Sequence, residues 1–379
     1  MSTYLVTTTI HDTRPIDVYA RNIERHGHGD AGIIIIGDRK TPRNYGAAIR
    51  ALRKRTPVPI DYLDLDAQKK WLGRFPAMAR LLPFDSVQRR NIGYLVAAEK
   101  GADLIIAFDD DNFPGRQTDF VGAHRLVNQR YSGPAIATSS GWLNTCSFLK
   151  TTPPRRVYHR GFPLSRRWKP EKASFSTIEG RVGVNVGLWY GDPDVDTVTR
   201  LEEPFRVDAI RVPKTRVAVR PGVCLPFNSQ NTGFSAELLP CLFLITLRTR
   251  GEALFLNNNF RYDDIWMSYF VKKAMDRVGD LVVVGPPHVE QLRNEHNLLA
   301  DLRKELMPME LTDVLVAWLE KIKLRERAYA PLYRELTEAL RARAAADKGL
   351  RPEHRRLFAD MVRGMDVWSN TVAQLTGRR

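Results

Sequence analysis

The N-terminal half of the chain alternates short apolar segments with helical ones, and this alternation limits the possible folds more than any other feature. Residues 4–10, 32–37 and 103–108 have the length and β-branched content of buried strands. Between them, residues 16–26 and 85–100 have helical patterns. A repeated strand–helix–strand order predicts a parallel sheet with right-handed crossovers, and therefore an α/β fold.

Acidic residues follow two of these predicted strands. Asp109, Asp110 and Asp111 come directly after the strand that ends at Phe108, and Asp38 follows the apolar run GIIIIG. Ligands of parallel sheets bind outside the carboxyl ends of the strands. We therefore expect these residues to border one cleft.

The three adjacent carboxylates predict a metal site. Like charges at close range repel, and hard oxygen ligands suit Mg²⁺ or Mn²⁺, which prefer carboxylates together with phosphate oxygens. An ion at this position would bridge the diphosphate of a nucleotide. We expect Asp109 and Asp111 to hold the ion and Asp110 to contact that nucleotide. The alternative is an acidic turn that caps a strand. His288 and His296 follow a strand predicted over residues 281–284; either one completes the metal site, with His296 preferred, or is an ordinary hydrogen-bonded side chain.

Further polar residues near the predicted strand ends are candidates for nucleotide binding. An aspartate after a strand accepts hydrogen bonds from a base or a ribose, and arginine or lysine neutralises phosphate. Polar turns and a solvated helix face are the alternatives. The candidates for nucleotide contact are Thr8, Asp38, Arg39, Lys40, Arg90 and Asn91.

Two segments in the second half of the chain carry candidates for catalysis. Asp263 and Asp264 begin a helix predicted over residues 263–275, where they serve either as capping residues or as the general base for an acceptor hydroxyl. The turn RGFPLSRR carries three arginines, of which Arg167 is the candidate for direct contact with a sugar. Residues 234–250 have the composition of a strongly apolar helix.

Charge and cysteine content narrow the classes of partner. The chain of 379 residues has 58 Lys and Arg against 43 Asp and Glu, a net charge of +15 that favours anionic partners. Aromatic residues are not interleaved with the basic ones, so we expect no nucleic acid. Three cysteines without CxxC spacing indicate neither a disulfide framework nor a zinc site, which fits a cytoplasmic protein. No apolar run approaches the ~20 residues of an integral membrane segment.

The composition changes after Glu305 to Arg, Glu and Ala. Residues 310–326, 332–347 and 352–375 have helical patterns. We expect a catalytic domain over residues 1–305 and a helical C-terminal appendage over residues 306–379. The appendage packs either on the core or on another subunit, which allows a homo-oligomer.

Six segments, in this order, resemble the plant reversibly glycosylated polypeptides, which are UDP-arabinopyranose mutases, and the related STELLO-type glycosyltransferases. The resemblance covers residues 82–305. The first segment is most similar to the STELLO type and the later ones to the mutases. The segments are LPFDSVQRRNIGYLVAAEKGA, FDDD, RGFPLSRR, VNVGLWYGDPDVD, NTGFSAELLP and RYDDIW.

The resemblance implies a GT-A fold with a Rossmann-like half for the nucleotide-sugar, a DXD metal site and an acceptor half. Asp109–Asp111 fall on the family's DDD motif, and Arg167 falls on the arginine that the mutases glycosylate reversibly. Asp263 and Asp264 fall on the RYDD motif. The chain has Arg166 where the mutases have leucine, Asn112 where they have cysteine, and HVEQLRNEHN in place of their WHSK segment.

Three functions are compatible with this sequence. The first is a glycosyltransferase that uses Mn²⁺ or Mg²⁺ and a UDP-sugar, or a GDP-sugar, with an unknown acceptor. The second is a nucleotide-sugar mutase, which the retention of Arg167 favours. The third is a non-catalytic nucleotide-sugar-binding scaffold. We expect the first.

Overall fold

The strands of the protein join in one mixed sheet. The computed structural model describes residues 1–247, 260–293 and 297–377. Twelve strands of this part belong to the sheet. They are β1 (Thr3–Thr9), β2 (Ala31–Gly37), β3 (Ile60–Leu63), β4 (Leu104–Phe108), β5 (Asn112–Pro114), β6 (Arg130–Thr138), β7 (Leu149–Thr152), β8 (Ala173–Gly191), β9 (Arg206–Ile210), β10 (Val217–Val219), β11 (Asn231–Ser235) and β12 (Leu281–Gln291).

Helices connect the first strands and dominate the C-terminal region. In the first half they lie between consecutive parallel strands, as a βαβ arrangement requires. The helices of the described residues are α1 (Arg14–Arg25), α2 (Tyr45–Arg53), α3 (Leu65–Leu72), α4 (Pro76–Leu81), α5 (Arg90–Glu99), α6 (Phe120–His124), α7 (Thr197–Glu202), α8 (Asp263–Val278), α9 (Leu298–Lys321), α10 (Tyr329–Ala346) and α11 (Pro352–Thr376).

The sheet has a parallel half and a mixed half that share β4. Strands β3, β2, β1 and β4 are neighbours in this order and run parallel. All residues of β2 and β4 are buried, which is typical of strands covered on both faces. On its other edge β4 pairs antiparallel with β11, and β11 pairs antiparallel with β8. The α/β class is confirmed, and a Rossmann-like half continued by a mixed half matches the GT-A expectation.

Two helix predictions in the first 250 residues were wrong in their extent or type. Residues 234–247 do not form an α-helix: Phe234 and Ser235 end β11, and a short 3₁₀ turn follows over Ala236–Cys241, while residues 248–250 lie outside the described part. Most residues of this segment are apolar because they are buried, and periodicity alone does not separate a buried strand from a buried helix. The helix predicted over residues 85–100 begins only at Arg90, since Asp85 has a φ of +53°.

The C-terminal helices share the core of the sheet. The buried apolar cluster extends from Leu5 to Val372. Trp368 of α11 is fully buried, its ring stacks on Phe243 at 5.6 Å, and its indole N–H donates to the Leu239 carbonyl at 3.1 Å. The first of these helices was predicted over residues 310–326, whereas α9 spans residues 298–321. The division at residue 305 stays a prediction. Within the described residues, no helix has the length and apolarity needed to span a membrane.

Candidate active site

The acidic triplet Asp109–Asp111 lies where the parallel half of the sheet ends. The buried strand β4 ends at Phe108, and after the triplet β5 pairs with β12, in register Asn112 to Gln291. The end of the neighbouring β1 touches the triplet, because the Thr9 hydroxyl donates to Asp110 Oδ2 at 2.6 Å. The parallel strands therefore bring their polar carboxyl ends together, as the sequence predicted.

Each carboxylate of the triplet has a different partner. Asp109 Oδ1 accepts a very short hydrogen bond from the guanidinium of Arg90, and Asp111 Oδ1 accepts from Asn112 Nδ2 at 2.8 Å. Burial, then the charges of Asp109 and Asp110, raise the pKa of Asp111 to about 7. Burial also raises the pKa of Asp110. Negative charge at this edge is therefore only partly compensated by the protein, which favours a bound cation.

Arg90 is the anchor of the triplet. Its side chain is 1% exposed, and its Nη1 donates to the carbonyl and to the hydroxyl of Ser229, both at 2.7 Å. The hydroxyl of Thr8 lies 3.5 Å from Nη2. Burial works against its charge, but the carboxylate of Asp109 raises the pKa of Arg90 above its ordinary value. Arg90 therefore holds Asp109 in place from inside the protein.

The other nucleotide-binding candidates lie in two separate places. Asn91 is fully buried, and its amide exchanges two hydrogen bonds of 2.9 Å with the main chain of Leu244. The Asp38 carboxylate accepts from the N–H of Ser86 at 3.1 Å. The main-chain N–H of Asp38 donates to the Thr41 hydroxyl, which in turn donates to the carbonyl of Thr9 at the end of β1. Arg39 and Lys40 are exposed, with the Arg39 guanidinium 4.1 Å from the ring of Phe84. Asp38, Arg39 and Lys40 thus border the same edge as the triplet, whereas Asn91 faces the interior.

A network of buried ion pairs joins the triplet to the RYDD segment. Asp264 Oδ2 accepts from the N–H and the hydroxyl of Ser229, at 3.0 and 3.1 Å. Because Ser229 also binds Arg90, the two acidic motifs are linked through two side chains. We call this set the Arg90 network. Its members are Asp109, Arg90, Ser229, Asp264, Arg160 and Asp194.

The far end of the Arg90 network is a bidentate ion pair. Arg160 binds Asp194 through two hydrogen bonds of 2.8 and 3.0 Å and reaches Asp264 Oδ1 at 3.4 Å. Burial opposes the charge of Asp194, but Arg160 holds the pKa of that carboxyl well below its ordinary value. The neighbouring Asp263 is also buried, and burial together with Asp264 raises its pKa to about 7. The two candidate bases therefore differ in their contacts, since Asp264 is hydrogen-bonded to Ser229 and Arg160.

The segment DPDVD after β8 binds arginines at alternate positions. Asp192 pairs with Arg200 and Arg293, and Asp196 lies 2.7 Å from Nη1 of Arg167. Arg167 also donates to the Phe162 carbonyl at 3.2 Å. Asp194, between them, is the partner of Arg160. The segment therefore fixes the arginine-rich turn beside the Arg90 network.

The structure describes one of the two histidines that were candidates for the metal site. His288 lies inside β12 rather than after a strand, and burial lowers its pKa to about 4, which keeps it neutral. His296 lies outside the described residues. Among residues 1–247, 260–293 and 297–377, no three His, Cys, Asp or Glu side chains form a ready-made metal cage. Two aspartates of the triplet fit an ion that takes its remaining ligands from water and phosphate.

Several members of the Arg90 network were not singled out from the sequence. Asp194 of the network, like Asp196 outside it, had a weak signal, since aspartates alternate in the segment DPDVD. Ser229 had none, because a serine in PFNSQNTG looks like any other turn residue.

Comparison with known proteins places this chain in a family. A family model described as reversibly glycosylated polypeptide matches residues 70–373, which extends past Glu305 through the C-terminal helices. The chain is 25% identical over 301 residues to UDP-arabinopyranose mutase 1 of Arabidopsis thaliana, covering 76% of this chain and 74% of that protein. It is 25% identical over 243 residues to the probable glycosyltransferase STELLO1 of the same plant, covering 60% of this chain and 29% of that protein.

A more distant likeness is found among solved structures. The mannosyltransferase PcManGT from Pyrobaculum calidifontis, in complex with GDP-Man and Mn²⁺, aligns at 11% identity and a TM-score of 0.39, covering 100% of this chain and 88% of that one. This likeness is too weak to bear on fold or function. The family model, in contrast, matches most of the sequence. The chain therefore belongs to the reversibly glycosylated polypeptide family.

Proposed function

We propose that the protein is a metal-dependent glycosyltransferase that uses a nucleotide-sugar, with a UDP-sugar favoured over a GDP-sugar. The observation that carries this proposal is the acidic triplet at the end of β4, fixed from inside by Arg90. A rigid pair of carboxylates at a strand end suits a divalent cation that is shared with a diphosphate.

Asp109 and Asp111 would hold Mn²⁺ or Mg²⁺, and the ion, when bound, neutralises charge on the departing nucleotide. Arg90 orients the Asp109 carboxylate through their ion pair. Asp38 would accept from the base or ribose, and the exposed Arg39 and Lys40 would supply positive charge for phosphate. The chain thus provides a separate contact for each part of a nucleotide diphosphate.

The sugar would lie toward the arginine-rich turn. Arg167, held by Asp196, is the candidate for contact with the sugar ring. Asp264 is hydrogen-bonded on both oxygens, so its role in this proposal is to position Ser229 and Arg160. Asp263, whose pKa is raised to about 7, is the better candidate for accepting a proton from an acceptor hydroxyl near neutral pH.

A mutase is the second candidate. The relatives named above include a UDP-arabinopyranose mutase, and Arg167 corresponds to the arginine expected to carry the sugar in that reaction. In a mutase the sugar–phosphate bond breaks and forms again on the same nucleotide. No free nucleotide accumulates, and no acceptor is needed.

Chromatography of UDP- and GDP-sugars incubated with the protein separates these functions. A transferase releases free nucleotide in the presence of Mn²⁺, and release stops with EDTA and in Asp111→Asn. The exposed Asp66→Asn is the matched control and keeps full activity. A new sugar-nucleotide peak without free nucleotide indicates the mutase. Metal-dependent UDP binding without turnover, also after addition of sugar acceptors, indicates the scaffold, and no binding at all contradicts the proposal.

A further inference from the structure

A cavity of about 590 Å³ lies beside the arginine-rich turn. It is bordered by β6, β7 and the segment between Pro154 and Tyr158, and none of the triplet or Arg90-network residues lines it. Leu143, Leu149 and Val157 form an apolar part of its wall. Its size suits a small ligand such as one or two sugar rings.

The cavity has more positive than negative charge. Lys150, Arg155, Arg156 and Glu171 line it. Arg155 is paired with Glu202 and lies 3.8 Å from Glu203, outside the lining. Lys150 and Arg156 have no carboxylate within ion-pair distance among the residues that the structure describes. Two uncompensated cations at the edge of a cavity favour an anionic ligand.

One aromatic ring lines the cavity, and a second packs on that ring outside the lining. Tyr158 lines the cavity, and Trp168 packs edge-on against Tyr158 at 5.1 Å, while the main-chain N–H of Trp168 donates to the tyrosine hydroxyl at 2.7 Å. Trp168 is 67% exposed and has a φ of +62°, an unfavourable conformation for a bulky residue. An exposed indole, held in a strained position beside the Arg156 guanidinium, offers a flat face for the C–H groups of a sugar ring.

The tyrosine connects the cavity to the proposed sugar site. The Arg167 guanidinium lies 5.4 Å from the centre of the Tyr158 ring, and Arg156 lies 5.3 Å from it. One ring therefore contacts both the arginine assigned to the donor sugar and a cation of the cavity. A ligand in the cavity would be next to the reacting sugar.

We propose that this cavity binds the acceptor, and that the acceptor is a sugar carrying a carboxylate or a phosphate. Lys150 and Arg156 bind the anionic group, and Trp168 supports the ring. This inference rests on the proposed transferase function, because a mutase requires no acceptor.

Binding of three related sugars tests the charge requirement. Glucuronic acid, glucose 6-phosphate and glucose are titrated by saturation-transfer NMR at physiological salt. We expect at least one acidic sugar to bind about ten-fold more tightly than glucose, the size of a charge-assisted contact. Comparison of the carboxylate with the phosphate identifies the acidic group. Equal affinity of all three sugars overturns the proposal, as does equal binding of inorganic phosphate and glucose 6-phosphate.

Paired variants test the location. Lys150→Ala with Arg156→Ala should remove the preference for acidic sugars, whereas Lys169→Ala with Lys172→Ala removes the same kind of charge from exposed lysines outside the lining and should preserve it. Trp168→Ala should weaken the binding of all three sugars to the same extent. Equal losses in both double variants would mean diffuse surface charge and would overturn the proposal. Circular dichroism verifies folding of each variant.

Nucleotide binding, measured in parallel, separates the two proposals. If UDP binds with Mn²⁺ but no acidic sugar is preferred, only the acceptor inference fails. If acidic sugars bind at the cavity while neither UDP nor GDP binds, the transferase function fails, and the cavity loses its role as an acceptor site.

Discussion

The guanidinium of Arg90 is surrounded by acceptors from three parts of the chain. It contacts Asp109 after β4, Ser229 before β11 and Thr8 in β1. An arginine at such a place matches several oxygens at once because its donors form a rigid fork. The same geometry makes it sensitive to substitution, since removal of the buried cation leaves the partly buried carboxylate of Asp109 and the buried oxygens of Ser229 without their partner.

Arg90→Met should therefore lower the free energy of unfolding by about 3 kcal/mol, the lower end of the cost of breaking a buried pair, because Asp109 keeps some contact with solvent. Urea unfolding followed by circular dichroism measures the change. The exposed Arg55→Met removes the same charge and should stay within about 0.5 kcal/mol of the parent. A small effect of Arg90→Met would mean that Asp109 does not depend on this contact.

The raised pKa of Asp263 predicts how stability varies with pH. The folded protein keeps this proton up to about pH 7, whereas the unfolded chain releases it near pH 4. Between these values the folded state binds more protons, so stability falls as pH rises, by up to about 1.4 kcal/mol per pH unit, and the fall ends above pH 7. Asp263→Asn should reduce this loss.

Urea unfolding at pH 5 and pH 8 tests that prediction. The parent protein should lose more stability between the two values than Asp263→Asn, and the exposed Asp66→Asn should behave like the parent. Equal losses in all three proteins would contradict a protonated Asp263.

At the scale of elements, the helix α11 is part of the main core. Its Trp368 fills a place between Leu239 and Phe243, and Gly364 lies so close to Phe243 that an added Cβ would be 3.1 Å from its ring. The helix therefore rests on the segment that follows β11. A helix in such a position stabilises the strands that carry the site.

Trp368→Ala should cost about 3–5 kcal/mol, as large-to-small substitutions of core aromatics do. Asn370→Ala, on the exposed face of α11, is the control and should have little effect. Chemical unfolding measures both. A mild effect of Trp368→Ala would mean that α11 packs loosely on the rest of the protein.

Local patterns predicted much of the fold and part of the site. The apolar runs before Asp38 and Asp109 correctly indicated parallel strands, because a buried strand is apolar on both faces. The segment 236–247, which follows β11, was mistaken for helix together with the last two residues of that strand, since its burial depends on distant parts of the chain such as α11. Arg90 was expected near the nucleotide, but its partner Ser229 is 139 residues away, and such a pairing has no local signal.

At the scale of the whole molecule, ligand binding at the proposed site should raise the stability of the folded protein. Ligand that binds only the folded state at 100 times its dissociation constant adds about 2.7 kcal/mol to stability. With UDP and Mn²⁺ we expect the thermal midpoint to rise by about 3 °C. Because the core is continuous from Leu5 to Val372, we expect the protein to unfold in one transition, and the ligand to raise the midpoint of that transition. Differential scanning calorimetry measures it.

Two controls complete this experiment. EDTA should abolish the shift, and Asp111→Asn should prevent it. A second, later transition that UDP does not move would instead show that the C-terminal helices unfold independently, in agreement with a separate domain after residue 305.

The shared strand β4 has a mechanical consequence. It is hydrogen-bonded to β1 on one edge and to β11 on the other. The parallel half and the mixed half of the sheet are therefore joined by main-chain hydrogen bonds along the strand that leads into the triplet. A rotation of one half of the sheet relative to the other would have to break the hydrogen bonds between these strands. We therefore expect the two halves of the sheet to move together, and any change of access to the proposed site to involve the connections at the strand ends.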